Sequence, residues 1–151
     1  MLGYVGAPET SSEVVDPEGW YYTGDLAVLD AKGYLRIVGR KKDMILRAGQ
    51  TIYPAEIESV LEQHPKIREA AVVGVPSRLE GESTWAFVLL HEETKMTARE
   101  VKDHCRSLLE ASKIPKHVRF VTEMPRSETG KPQKFMLREL ALTEQEGAEP
   151  K

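Results

Sequence analysis

A single cysteine, no long apolar run and no excess of one charge sign are what this sequence is short of. The lone Cys105 excludes an internal disulfide and a cysteine-based zinc site, and it fits a reducing compartment. Its simplest role is that of a small residue on a helix. No apolar stretch approaches the roughly 20 residues that a bilayer crossing requires, so no membrane span is expected. With 21 basic against 24 acidic residues, the net charge of -3 gives no general pull toward nucleic acid or anionic membrane. Local basic clusters at Arg40–Lys42 and Lys113–Lys116 could still meet phosphates. The opening segment has no basic stretch followed by an apolar core, so a secretory signal is not expected. Internal repeats and low-complexity segments are missing as well.

What is present describes an ordinary globular chain. Hydrophobic residues make up 40% and charged residues 30% of 151, enough for one domain, or one small domain plus a flanking piece. Residues 1–19 lack periodicity and read as a connector. Trp20–Thr23 and Leu26–Leu29 are β-favouring runs, Asp30–Gly33 is a turn, and Tyr34–Val38 alternates as a further strand, together predicting a hairpin. A strand at Met44–Leu46 leads through a turn at Gly49 into an amphipathic helix over Pro54–Gln63. That helix has proline at its start, acidic residues in its first turn and His64-Pro65 to end it. Core strands are expected at Ile67–Val75 and Thr84–Leu90, with a turn at Pro76–Gly81 between them. Thr97 and Glu100 form a capping-box pattern for a helix carrying Val101, Cys105, Leu108 and Leu109 on one side. A short strand at Val118–Val121, a polar loop at Arg126–Pro132 and a helix at Phe135–Leu142 follow. The polar segment after it is expected to fray.

Three blocks have chemical potential. In Tyr21–Asp25 (YYTGD), a Gly-Asp pair at a strand end exposes a carboxylate that can accept hydrogen bonds from the vicinal hydroxyls of a ribose; it equally suits a plain hairpin turn. At Arg40–Asp43, the planar guanidinium of Arg40 suits ribose oxygens or phosphate, while a solvated basic linker would look the same. In Pro125–Phe135 (PRSETGKPQKF), Lys131 follows Gly130 on a polar loop with little to bury it. Such an ammonium can be delivered to a site formed elsewhere, or can simply be solvated.

In this order, these blocks resemble the adenylate-forming superfamily, which includes AMP-forming acyl-CoA synthetases, luciferases and peptide-synthetase adenylation domains. The run GRKKDMILRAGQTIYPAEIE (Gly39–Glu58) resembles its hinge segment, and further matching pieces are Gly3–Glu9, Gly74–Glu82, Ile114–Val121 and Leu137–Leu140. The resemblance implies an α+β fold: a small C-terminal domain with a three-stranded antiparallel sheet flanked by helices, preceded by a short β-hairpin from the end of a large N-terminal domain. The implied divisions are residues 1–39 for that N-terminal end, 40–43 for a hinge, 44–142 for a mobile C-terminal domain and 143–151 for a flexible tail.

By the same resemblance, Asp25 and Arg40 hold the nucleotide ribose and Lys42 is the pivot. Lys131 orients the carboxylate and phosphate during adenylation, and no residue is a metal ligand. After the small domain turns about Lys42, Gly49 would lie beside the pantetheine arm of CoA, a position where a missing side chain lets backbone approach a ligand; a turn glycine is the equal alternative. The implied reaction takes a carboxylic acid and ATP to an acyl-adenylate, then exchanges AMP for the thiol of CoA, with Mg2+ accompanying ATP. The phosphate-binding loop, acyl pocket and adenine site of the family precede YYTGD and have no counterpart here. The chain is therefore expected to begin inside a longer protein, to be inactive alone, and to need the N-terminal domain of the same enzyme. Ala48 stands where glycine is frequent, and Pro132 where an aliphatic residue is common. A peptide-synthetase adenylation domain serving a carrier protein, and a non-catalytic interaction module, are the competing readings. The expected address is cytoplasmic, with the mitochondrial matrix as the alternative, and no nucleic-acid partner is expected.

Overall fold

The computed structural model describes residues 13–148, so the matched piece Gly3–Glu9 and the last residues of the tail lie outside what is described. The chain divides into two compact units, Met1–Lys42 and Asp43–Lys151.

In the first unit, the antiparallel hairpin β1 (Asp25–Leu29) and β2 (Leu35–Arg40) forms as the alternation predicts. Asp30 builds the turn by accepting Lys32 N and Tyr34 N at 2.8 and 2.9 Å. A register shift between Leu26 and Ala27 inserts Val38 as an extra residue in β2 and leaves Arg40 opposite Asp25. The strand expected at Trp20–Thr23 is reduced to one bridge between Tyr21 and Val15. Val28, Leu29, Tyr34, Leu35 and Ile37 are all exposed.

The second unit holds β3 (Ile45–Arg47), β4 (Gln50–Ile52), α1 (Pro54–Glu62), β5 (Ile67–Ser77), β6 (Gly81–Leu90), α2 (Ala98–Arg106), β7 (His117–Val121) and α3 (Lys134–Ala148). Its centre is the β5–β6 hairpin, paired from Ile67↔Leu90 to Ser77↔Gly81. Strand alternation sends Ala70, Val72, Ala86 and Val88 to one face, where Ile57 and Leu61 of α1 and Val101 and Cys105 of α2 cover them. Ala71, Val73, Val75, Trp85, Phe87 and Leu89 face the other way, onto Leu137 and Ala141 of α3. Both faces are covered, so these strands read as unbroken apolar runs. Glutamates of α1 also close the β5 edge: Glu58 accepts Val72 N at 2.7 Å and Glu62 accepts Ala70 N at 3.2 Å. Burial pushes the Cys105 thiol up to about 11, which suits a packing residue and not a nucleophile.

The α+β class and the flanking helices are as expected, but the sheet is larger than three antiparallel strands. It has five, ordered β4-β3-β6-β5, with β7 also on β6. The β7 strand runs parallel to β6, from Trp85↔His117 to Leu89↔Val121, because α2 carries the chain back before it re-enters the sheet. The capping box of α2 is made in full. That helix ends at Arg106, however, and Leu108 is exposed while only Leu109 reaches the core. Pro76 and Ser77 extend β5 where a turn was expected. The last helix runs to Ala148 instead of stopping at Leu142, and Gln145 and Glu144 fasten its end to the Pro76 carbonyl and to Arg119. Thr143–Ala148 is thus helical where fraying was expected.

Candidate functional site

The hairpin of the first unit brings Asp25 and Arg40 together. They are cross-strand partners, and Arg40 Nε donates to Asp25 Oδ1 at 3.1 Å. Gly24, at φ +73, turns the chain into β1, its carbonyl accepts Lys41 N at 2.8 Å, and the Thr23 hydroxyl accepts Asp25 N at 3.1 Å. The Arg40 and Asp25 side chains are 52% and 32% exposed, respectively. The carboxylate keeps free lone pairs and the guanidinium keeps further N–H donors, so the pair can accept from and donate to a ligand's hydroxyls at once. Lys42 is exposed in the 3-10 turn Lys41–Asp43, which contains the division between the units.

In the second unit, Gly49 is at the tip of the β3–β4 hairpin. Arg47 pairs with Gln50, leaving Ala48 and Gly49 as a two-residue loop with φ of +48 and +79. Both central residues are left-handed, as a type I′ turn requires. Nothing lies within 4 Å of where a Gly49 Cβ would sit, so backbone conformation, not crowding within the unit, accounts for the glycine there. The base of this turn is fastened by Arg47. Its Nε donates to Glu80 Oε2 at 2.7 Å, and its Nη1 reaches the carbonyls of Ser112 and Ile114 at 3.1 and 3.0 Å. Lys116 is the second cation on Glu80. Hydrogen bonds from Lys116 and then Arg47 hold the Glu80 carboxyl below its usual value.

Lys131 is exposed, and among the described residues its ammonium has no ion-pair or hydrogen-bond partner. Its backbone, in contrast, is well held. Ser127 N donates to the Lys131 carbonyl at 2.9 Å, Gly130 N donates to the Ser127 carbonyl at 2.8 Å, and Arg126 bridges to Pro132 at the base of the loop. Gly130 takes φ +81. A fixed backbone with a free cationic tip can present charge to an anion outside the unit.

Asp25 and Arg40 therefore adjoin in one unit, while Gly49 and Lys131 occupy separate loops of the other. Sequence reasoning missed Arg47 and Glu80, although Glu80 lies in the quoted piece Gly74–Glu82. The described residues include no group of three or more His, Cys, Asp or Glu that could hold a metal ion. They also include no helix long and apolar enough to cross a membrane.

The second unit, a small mixed domain with helices packed on a sheet, has the fold of the C-terminal domain of adenylate-forming enzymes. The chain belongs to the AMP-binding enzyme C-terminal domain family, whose model matches residues 56–131. It is 46% identical over 139 residues to the human mitochondrial medium-chain acyl-CoA ligase ACSF2, covering 92% of this chain and 23% of that protein. Among solved structures, ATP-bound MatB from Rhodopseudomonas palustris superposes with a TM-score of 0.83 at 37% identity, over 91% of this chain and 27% of that one. The anthranilate CoA ligase AuaEII in complex with anthranoyl-AMP gives 0.86 at 37% identity, over 95% and 28%. The chain thus spans about a quarter of the length of the relatives it matches.

Proposed function

We propose that this chain is the C-terminal part of an ATP-dependent, AMP-forming acid–thiol ligase of the acyl-CoA synthetase type. In the first half-reaction, a carboxylate oxygen of the acid bonds to the α-phosphorus of ATP and the bond to pyrophosphate breaks. Negative charge builds on the phosphoryl oxygens, and the Lys131 ammonium stabilises it. Asp25 accepts from the ribose hydroxyls and Arg40 donates beside it. In the second half-reaction the CoA thiol attacks the acyl carbon and AMP leaves. The domain spanning residues 44–142 turns about Lys42 within a hinge at 40–43, withdrawing Lys131 and bringing the Gly49 turn to the pantetheine arm. Mg2+ would supply charge neutralisation on the ATP phosphates and would be held mainly through them; the described residues of this chain include no group of three or more His, Cys, Asp or Glu that could hold it.

The observation that carries the reading is the unpartnered Lys131 ammonium on a backbone-fixed loop, in a chain of this family. The exposed apolar side chains of β1 and β2 support a further body: a two-stranded hairpin is not stable alone, and it has apolar surface to bury. That body would be the N-terminal domain carrying the phosphate loop and the acid pocket. Fatty, aromatic and branched acids are all candidate substrates: relatives named for medium-chain and for anthranilate substrates resemble this chain at 46% and 37% identity. The lone buried cysteine agrees with a cytoplasmic or a mitochondrial-matrix address, and a relative named as mitochondrial supports the second of these.

ATP–pyrophosphate exchange with a panel of carboxylic acids tests the proposal. The 151-residue chain alone should give no turnover, and the complete protein should. Supplying CoA or a carrier protein as acceptor then separates an acyl-CoA synthetase from a peptide-synthetase domain. Exchange by the isolated chain, or none by the complete protein with any acid, contradicts the reading.

A further inference from the structure

Backbone hydrogen bonds close the loop carrying Lys131 on itself, but Ser127, Thr129, Gly130 and Lys131 are exposed or polar, and the side-chain ties from the loop to the rest of the unit are charged. Arg126 reaches in two directions. Its Nη1 donates at 2.7 Å to the carbonyl of Gly130, the peptide leading directly into Lys131, and its Nη2 is ion-paired with Glu69 on β5. One planar guanidinium thereby joins the sheet to the residue before the lysine. A lysine would reach either acceptor as a point charge but could not reproduce this fork. On the far side of the loop, Lys134 pairs with Glu58 at 2.7 Å, the same glutamate that caps the β5 edge. The loop is bracketed, and the Arg126 side is the one that touches its tip.

We propose that Arg126, braced by Glu69, is a positioning residue that sets where the Lys131 ammonium is presented. The inference rests on the adenylation role given to Lys131 above. Arg126 touches no substrate in this account; it acts by holding the Gly130 carbonyl. Loss of the brace should leave the domain folded and the lysine present but poorly aimed. A misplacement of about an ångström can cost up to a hundredfold in rate.

Two measurements test it, each on Arg126→Gln and Glu69→Gln. In the 151-residue chain, 15N relaxation should show the Gly130 and Lys131 amides falling from order parameters of about 0.85 to below about 0.6, with Val72 and Val88 unchanged. In the complete enzyme, kcat for adenylation should drop roughly ten- to hundredfold while KM for ATP and acid stays within about twofold. Thioester formation from supplied acyl-adenylate should be unaffected. Unchanged order at Gly130 overturns the brace itself. Loosened amides with adenylation intact, or equal loss in both half-reactions, overturn the positioning role. Lys131→Ala, run in parallel, separates the two levels: if it adenylates normally, the reading of Lys131 fails and the positioning role with it, whereas a crippled Lys131→Ala beside a normal Arg126→Gln overturns the positioning role alone.

Discussion

The lysine loop and the glycine turn solve the same mechanical problem with different stiffness. Each is an exposed tip with left-handed backbone, at Gly130 in one and at Ala48 and Gly49 in the other. Each is fastened by an arginine that pairs with a glutamate and also donates to backbone carbonyls. Arg47 and Glu80 are largely buried, with side chains 19% and 15% exposed, and Lys116 adds a second cation. Arg126 and Glu69 are at 42% and 18%, with no second cation on Glu69 among the described residues. Burial strengthens a charge pair and raises the cost of breaking it, whereas an exposed pair is weak and screened by salt. The glycine turn is therefore built as part of the core, and the lysine loop is set on it by a lighter strut.

Removing the heavier strut should have the largest effect on stability. Arg47→Ala leaves Glu80 with Lys116 alone and strands two backbone carbonyls, and should cost about 3 kcal/mol in urea unfolding, against at most about 1 kcal/mol for Glu69→Gln. Similar losses for the two variants would remove the contrast. Acid should distinguish them next. The Glu80 carboxyl is held below its usual value in the folded chain, so its contribution is fully present above the ordinary carboxylate range and is lost as pH falls through the lowered value. The stability difference between the native chain and Glu80→Gln should therefore shrink on acidification; a constant difference contradicts the network.

The turn itself predicts smaller effects of opposite sign. Gly49→Val meets no steric obstacle but forces a β-branched residue to φ +79, and should cost about 1–2 kcal/mol. Ala48→Gly relieves a left-handed alanine at φ +48 and should stabilise by up to about 1 kcal/mol. Thermal unfolding of both variants decides this, and a stabilised Gly49→Val would mean that the turn is not the type described.

Much of the fold could be read from local pattern, because local physics decides it. The apolar runs of β5 and β6, the proline start of α1 and the Thr97–Glu100 box all form as read. What escaped depends on distant partners. Strand β4 carries polar Gln50 and Thr51 in three residues, and alternation says nothing about which way β7 runs. The polar last turns of α3 are held by Arg119 and the Pro76 carbonyl, far away in sequence. The candidate site divides the same way. Asp25, Arg40, Lys42, Gly49 and Lys131 stand in contiguous motifs, whereas the arginines that brace the two tips find their glutamates 33 and 57 residues away. Nothing in one motif names such a partner.

The most direct test of the central claim is to resolve the half-reactions of the complete enzyme carrying Lys131→Ala. Adenylation, followed by pyrophosphate release, should fall by two orders of magnitude or more, in line with removal of a single group that stabilises developing charge at roughly 10²–10³-fold. Conversion of supplied acyl-adenylate and CoA to thioester should stay within about twofold of the native rate, because that step does not call on the lysine. Equal loss in both steps, or adenylation at the native rate, would contradict the account.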